Sequence, residues 1–204
     1  MSTTLSALEE QILARLQAER KLEARPFLCS GSPYGCAVAI IGINPGTSVS
    51  FWDHWSIAAG FCKENWLAKF NEDGRNRRNQ TRPRIEILLK ELEPKFRVLE
   101  LNLYPYPTPA ERDLKDVDRD TRLFKYLLEE LNPRFLFVFG RKPAKELAKF
   151  LKHPLPFNPH EITSLNWGGR KIQVLVEPHL SRGWKIVDVR KLGKKIRAAL
   201  LNGG

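Results

Sequence analysis

Four runs of apolar residues stand out along the chain, and each is bounded by polar or turn-forming positions. The runs are rich in small, β-branched and aromatic residues and show little alternation with polar positions. Runs of this kind are typical of strands that are covered on both faces. The pattern predicts four strands, at residues 37–43, 96–101, 135–139 and 172–176.

The segments around these runs carry apolar residues at intervals of three or four positions, which is the pattern of an amphipathic helix. The clearest case is N-terminal, where Leu8, Ile12 and Leu16 share one helical face. Ser6 and Glu9 form a capping box at its start. Helices are predicted at about residues 6–22 and at residues 85–92, 121–131, 144–151 and 187–201.

The alternation of strands and helices predicts an α/β fold. We expect a three-layer α/β/α arrangement around a central, mainly parallel four-stranded sheet with right-handed crossovers. The chain has 204 residues, a length that one hydrophobic core can serve. No internal repeat or linker divides it, so a single domain over residues 1–204 is predicted.

Polar or turn-forming residues follow all four predicted strands. Open parallel sheets bind their ligands at the carboxyl ends of the strands, so these residues are expected to meet in one cleft. In chain order they are Asn44-Pro45-Gly46, Asn102, Gly140-Arg141 and Pro178-His179-Leu180-Ser181.

The chain is strongly basic, with 34 Lys and Arg against 23 Asp and Glu and a formal net charge of +11. Because Lys and Arg displace counterions from phosphates, this charge indicates a nucleic-acid partner. No apolar run is long enough to cross a membrane, and Glu9, Glu10 and Arg15 stand where a signal peptide would be apolar. We expect a cytoplasmic protein with no membrane partner.

The cysteines give no sign of a metal centre. Cys29, Cys36 and Cys62 include no CxxC pair and lack the spacing of a zinc site. Buried or idle thiols are the better interpretation. Neither a metal nor a cofactor is predicted.

Three side chains at the strand ends suit chemistry on a base. Pro45 fixes φ and Gly46 allows a positive φ, so a tight turn would hold the Asn44 amide where it can orient a water molecule. The Asn102 amide offers a donor and an acceptor to the O4 and N3–H edge of uracil. His179 directly follows a buried strand, so its ring can face the cleft. Each also has a purely structural interpretation, as a turn, a cap or a core histidine.

Aromatic residues follow the first strand at high density. Trp52, Trp55 and Phe61 are all suited to stack on an extruded base. Packing in the core is the alternative, and it is favoured for Trp66 and Phe70, which are four positions apart. A basic segment comes next and is expected either to contact phosphates or to be a solvated face. Its arginines are Arg75, Arg77, Arg78, Arg82 and Arg84.

Taken in order, these residues resemble the motifs of the uracil-DNA glycosylase superfamily. The first motif has the form used by the mismatch-specific and single-strand-selective branches, where Asn replaces the Asp of the most efficient branch. The Phe-Trp-x-x-Trp segment after it is similar to that of a bacterial uracil-DNA glycosylase-like group. The matching segments are Gly42-Ile43-Asn44-Pro45-Gly46, Leu99-Glu100-Leu101-Asn102, Val138-Phe139-Gly140-Arg141 and Pro178-His179-Leu180-Ser181-Arg182.

The resemblance implies a monofunctional, monomeric DNA glycosylase that hydrolyses the N-glycosidic bond of uracil or a related deaminated base without a metal or cofactor. Asn44 would hold the attacking water, and His179 would donate to the base O2. Because an Asn cannot act as a general base, a slower enzyme than an Asp version is expected. Base contacts are expected from Ile43, Trp52, Trp55, Phe61 and Asn102, and phosphate contacts from Gly46, Arg77, Arg78, Arg82, Ser181 and Arg182.

Two other functions are compatible with the sequence. The chain could be a non-catalytic nucleic-acid-binding module of the same fold, which would leave no abasic site in DNA. It could also be a nucleoside or nucleotide hydrolase, although such an enzyme would not need a net charge of +11.

Overall fold

The computed structural model describes residues 4–46, 49–72, 80–93, 95–181 and 183–202. Within these residues the chain forms a central sheet of six strands and a separate two-stranded hairpin. The strands, in chain order, are β1 (Phe27–Leu28), β2 (Val38–Gly42), β3 (Trp55–Ser56), β4 (Gly60–Phe61), β5 (Val98–Asn102), β6 (Phe135–Phe139), β7 (Ile162–Trp167) and β8 (Arg170–Glu177). The α-helices are α1 (Leu5–Leu13), α2 (Lys63–Glu72), α3 (Thr81–Leu92), α4 (Arg122–Leu131), α5 (Arg141–Leu151) and α6 (Ile186–Asn202).

The sheet has the order β1-β5-β2-β6-β8-β7, with β3 and β4 forming the hairpin. The four inner strands run parallel, and β1 and β7 are antiparallel to their neighbours. The predicted mainly parallel α/β sheet is therefore confirmed, and all four predicted strands are the inner ones. The predicted number of four strands is wrong. β1 has only two residues, and β7 mixes polar and apolar positions, so neither edge strand contains an unbroken apolar run.

Alternate residues of the inner strands pack on opposite faces of the sheet, as strand geometry requires. On β2, Val38 and Ile40 belong to a core with residues of α3 and α6, whereas Ala39 and Ile41 belong to a core with residues of α1, α2, α4 and α5. Helical residues thus cover both faces. Double coverage explains why the inner strands are apolar at nearly every position.

The N-terminal helix is shorter than predicted. α1 ends at Leu13, and a separate 3-10 helix at Ala18–Glu23 follows it. Between them, Gln17 is extended, with φ −63° and ψ 129°, and its backbone N–H donates to the Tyr106 hydroxyl at 2.9 Å. A contact distant in sequence therefore interrupts a segment whose apolar spacing predicted one continuous helix.

Two further elements were not predicted. α2 buries Trp66 and Phe70, the pair whose spacing favoured core packing, and their rings stack with centroids 5.4 Å apart. The β3–β4 hairpin is too short to leave a pattern in the sequence. None of the helices in the described parts of the chain is both long enough and apolar enough to span a membrane.

Candidate active site

Backbone hydrogen bonds between the β2 and β5 segments continue past the last residue of each strand. Gly42 is in register with Asn102, and the pairing continues through Leu103 N–H to Gly42 C=O at 3.1 Å. Tyr104 N–H then donates to Ile43 C=O at 3.0 Å. The turn after β2 is therefore held against the proline-rich loop that follows Asn102.

Gly42 lies where three predicted motifs meet. A Cβ atom on this residue would lie 2.8 Å from Phe139 Cζ and 3.1 Å from Asn102 Oδ1. Both distances are too short for a side chain to fit without displacing its neighbours. Glycine at this position thus lets the amide of β5 and the aromatic ring of β6 approach the backbone of β2 closely.

The Asn44 amide is anchored through its nitrogen. Nδ2 donates to Thr108 Oγ1 at 2.8 Å and lies 3.2 Å from the carbonyl oxygens of Thr108 and Pro45. The Thr108 hydroxyl donates its own proton to Ala110 C=O at 2.8 Å, so it accepts from Asn44. Carbonyl oxygens can only accept, and this fixes which end of the amide carries the nitrogen.

The orientation leaves Asn44 Oδ1 on the opposite side of the amide from Thr108. The residue is half-buried, and no hydrogen bond to Oδ1 is found from the residues that the structure describes. An amide oxygen held in this way can accept a hydrogen bond from a water molecule or from a ligand.

The Asn102 amide is half-buried at the end of β5, with Oδ1 over Gly42. Across the described ranges, no hydrogen bond links this amide to another side chain or to the backbone. A half-buried amide gains most from a partner that donates to its oxygen and accepts from its nitrogen. The Asn102 amide therefore has a donor and an acceptor that no described residue engages.

His179 is oriented by the residue two positions later. Its Nδ1 lies 2.7 Å from Ser181 Oγ and accepts from the Ser181 backbone N–H at 3.2 Å. Because a backbone N–H can only donate, Nδ1 is the unprotonated nitrogen, and the proton of the neutral ring is on Nε2. The imidazole thus has one accepting nitrogen bound to the protein and one nitrogen that donates.

Phe139 connects His179 to the other two strands. Its ring meets the imidazole edge to face, with centroids 5.3 Å apart and planes at 72°, and its Cζ is the atom close to Gly42. The structure therefore brings His179, Phe139, Gly42 and Asn102 together at one edge of the sheet, as the convergence of strand ends predicted. We call this group, together with Asn44, the strand-end site.

Two residues of this region were not predicted to have a role. Phe139 was named only as part of the segment Val138-Phe139-Gly140-Arg141 and was given no role of its own, although its position at the end of β6 was a usable signal. Thr108 was recognised only as part of the proline-rich loop, and nothing in the sequence indicated that it anchors Asn44. Its contact with Asn44 spans 64 positions along the chain.

The predicted base-stacking aromatics lie in a packed cluster of their own. Phe61 is 1% exposed and stacks on Phe51 with centroids 5.0 Å apart and planes at 9°. Trp52 Nε1 donates to Lys21 C=O at 2.8 Å, and Trp55 Nε1 donates to a carboxylate of α1. These contacts favour the core-packing alternative for all three, and the ring of Phe61 is too enclosed to stack on a base.

Arg82 was predicted to contact phosphate, and the structure contradicts this. The residue is 5% exposed and forms a two-pronged ion pair with Glu100, at 2.7 and 2.9 Å. Lys63 Nζ lies 3.0 Å from the same carboxylate, and Glu86 lies 2.7 Å from Arg82. Burial alone would raise the pKa of Glu100, but the charges of Arg82 and Lys63 outweigh it and lower the pKa to about 2. We call these four residues the buried ionic network.

The remaining residues that were predicted to contact base or phosphate give little evidence for or against such a contact. Ile43 is half-buried and packs against the core, and Gly46 is exposed. Ser181 orients the imidazole, as described above. Three predicted phosphate contacts lie outside the described residues: Arg77, Arg78 and Arg182.

Metal ligands do not gather at this site. In the described ranges, no three His, Cys, Asp or Glu side chains are grouped as a metal ion would require. Comparison with known proteins found no protein-family model that matches the sequence and no significant match among curated proteins.

Proposed function

We propose that this protein is a DNA glycosylase that hydrolyses the N-glycosidic bond of uracil or a related deaminated base. The observation that carries the proposal is the anchoring of two polar side chains at one sheet edge. Asn44 is held through its nitrogen by Thr108, and His179 is held through Nδ1 by Ser181. Asn102 completes the set with an amide that lacks a hydrogen bond to any described residue.

These groups match the charge that develops when an N-glycosidic bond breaks. As the bond stretches, the sugar becomes cationic and the base anionic. The Nε2–H of His179 would donate to the base O2, where the negative charge accumulates. Asn44 Oδ1 would hold the water that adds to C1′. Because an amide cannot take the proton of that water, attack would follow extensive bond breaking, and the proton that the water loses would balance the one that the departing base anion takes up.

Recognition of the base is assigned to Asn102. Its amide can donate to O4 of uracil and accept from N3–H, whereas cytosine presents an amino group and a bare ring nitrogen at the same positions. A base that enters this site must first leave the DNA stack.

The proposal extends to the partner and the setting of the reaction. A net charge of +11 supports binding to DNA phosphates. Arg77, Arg78 and Arg182 are proposed to supply part of that binding. The enzyme is proposed to act as a monomer of one three-layer α/β/α domain in the cytoplasm.

The test is a single-turnover assay on oligonucleotides that carry uracil, hypoxanthine or xanthine, with alkaline cleavage of the abasic product. Asn44→Ala and His179→Ala are each expected to slow cleavage by roughly 10²-fold or more, the scale of losing a preorganised group. DNA binding should barely change, because phosphate contacts are intact in both. Exposed Asn166→Ala and His153→Ala are the matched controls.

Two results would contradict the proposal. If the wild-type protein binds these oligonucleotides but leaves no abasic site, it is a nucleic-acid-binding module instead. If both active-site variants cleave like the controls, the chemistry does not take place at the strand-end site.

A further inference from the structure

A cavity lies beside the strand-end site and shares none of its residues. It has a volume of about 490 Å³, within the usual range of small-molecule sites. It lies between the end of β8, the first turns of α6 and the turn that contains His160. We call it the α6 cavity, and its wall includes His160, Glu177, Trp184, Lys191, Leu192 and Lys195.

Glu177 is a buried acidic residue in the wall of the α6 cavity. The residue is completely buried, and its Oε1 accepts from the backbone N–H of His160 at 2.8 Å and pairs with His160 Nδ1 at 2.9 Å. Its Oε2 is also buried and has no hydrogen-bond partner in the described part of the chain. Burial raises the pKa of Glu177. A donor from a ligand would satisfy this oxygen and stabilise its charged form.

The turn that holds Glu177 has a strained backbone. His160 has a φ of 70°, which side chains other than glycine rarely adopt. Lys195 donates a hydrogen bond to the carbonyl oxygen of His160. The His160 ring packs edge to face against Trp184, with ring centroids 6.2 Å apart. The backbone N–H and Nδ1 of His160 both contact Oε1 of Glu177, so neither of them satisfies Oε2.

The remaining walls supply different chemistry. Trp184 is half-buried and offers an aromatic surface, and Leu192 adds apolar contact. Lys191 and Lys195 are exposed and four positions apart on α6, so their ammonium groups share one side of the helix. The carboxylate of Asp188 lies on the same wall. The cavity thus combines an internal acceptor, an aromatic wall and two cationic groups.

We propose that the α6 cavity binds a nucleotide whose base carries an exocyclic amino group. The amino group donates to Glu177 Oε2, as a carboxylate accepts from the cytosine amino group elsewhere. Because this oxygen is buried, the ligand reaches it only when the Glu177 side chain turns toward the cavity. The base lies against Trp184, and the phosphate pairs with Lys191 and Lys195. Asp188 offers an acceptor to the sugar hydroxyls. A keto group in place of the amino group would set two acceptors against each other.

The proposal is independent of the glycosylase reaction, because it concerns a different cavity and a different ligand. The test is a calorimetric titration with two matched pairs of ligands, CMP with UMP and AMP with IMP. Within each pair the amino compound is expected to bind at least about tenfold more tightly, the scale of one charge-assisted hydrogen bond. Ribose 5-phosphate reports the contribution of the phosphate alone.

Three variants locate the binding. Glu177→Gln should abolish the preference within each pair, and Lys191→Ala should weaken all four nucleotides together. Lys194→Ala is the control, since this exposed lysine of α6 is not part of the cavity wall. Asn44→Ala should bind the nucleotides like the wild type even if it abolishes glycosylase activity, so the two proposals can fail separately.

Equal binding within both pairs, or no binding at millimolar concentration, would overturn the proposal. So would a preference that Glu177→Gln retains. Thermal unfolding checks that the variant folds. If Glu177→Gln does not fold, the proposal still depends on two results: the wild-type protein must prefer the amino compounds, and Lys191→Ala must weaken all four nucleotides.

Discussion

Two polar residues on β5, only two positions apart, differ in the partners that the protein provides for them. Glu100, in the middle of the strand, is surrounded by Arg82 and Lys63, and its carboxylate is fully compensated. Asn102, at the end of the strand, lacks a hydrogen bond to the described residues, although it is half-buried. Lys63 of α2 and Arg82 of α3 reach the middle of the strand, where Glu100 lies.

The difference separates a polar group that is paired within the protein from one that we propose to bind a ligand. In the buried ionic network, each charge is paired inside the protein, and its contribution is to stability. In the strand-end site, Asn44 is fixed through its amide nitrogen, while its amide oxygen accepts no hydrogen bond from the described residues. Pairing in the protein, rather than burial or residue type, separates the two regions.

The largest expected effect tests this difference through stability. Glu100→Ala should lower the free energy of unfolding by about 3–5 kcal/mol, because it leaves Arg82 and Lys63 buried without their carboxylate. Asn102→Ala should lower it by less than about 1 kcal/mol, since no protein hydrogen bond is lost. Urea unfolding of both variants measures the two values, and equal losses would show that the two positions have the same structural role.

The buried ionic network should also make the free energy of unfolding of the wild-type protein fall at acid pH. The pKa of Glu100 falls from an ordinary 4.5 to about 2 in the folded state. A lowered pKa means that the stabilisation is complete above pH 4.5 and is lost as the pH falls toward 2. The loss should amount to roughly 3 kcal/mol. Unfolding free energies measured against pH for the wild type and Glu100→Gln check this, because the variant should lack that part of the decline.

A smaller effect is expected on base selection at the end of the strand. Asn102→Asp should move preference from uracil toward cytosine by about 2 kcal/mol, since a carboxylate accepts from an amino group but cannot donate to O4. Single-turnover cleavage of otherwise identical uracil and cytosine oligonucleotides measures the ratio. An unchanged ratio in a folded variant would make Asn102 a structural residue like Glu100.

The smallest effect concerns the anchoring of Asn44. Thr108→Val removes the hydroxyl that accepts from the Asn44 amide and should slow cleavage about tenfold, or about 1.4 kcal/mol. Thr108→Ser keeps the hydroxyl and should retain nearly wild-type cleavage. A Thr108→Val variant that cleaves at the wild-type rate would mean that Asn44 needs no anchor.

The sequence alone determined the parts of the protein that depend on local patterns. Apolar runs located the four inner strands to within about two residues, because both faces of those strands are covered by helical residues. The parallel arrangement then brought the polar residues after each strand to one edge. The juxtaposition of Asn102 and His179 with Phe139 and Gly42 follows from that rule, and only the role of Phe139 was overlooked.

Tertiary structure alone decided which of these polar residues are compensated. Arg82 belongs to a basic segment by its neighbours in sequence, yet it pairs with Glu100, eighteen positions later. Thr108 fixes the Asn44 amide across 64 positions, and β1 exists only through its pairing with β5. Local periodicity carries no information about such pairs, because their energies depend on which elements pack together. The enclosure of Phe61 by Phe51 was decided in the same way, by packing.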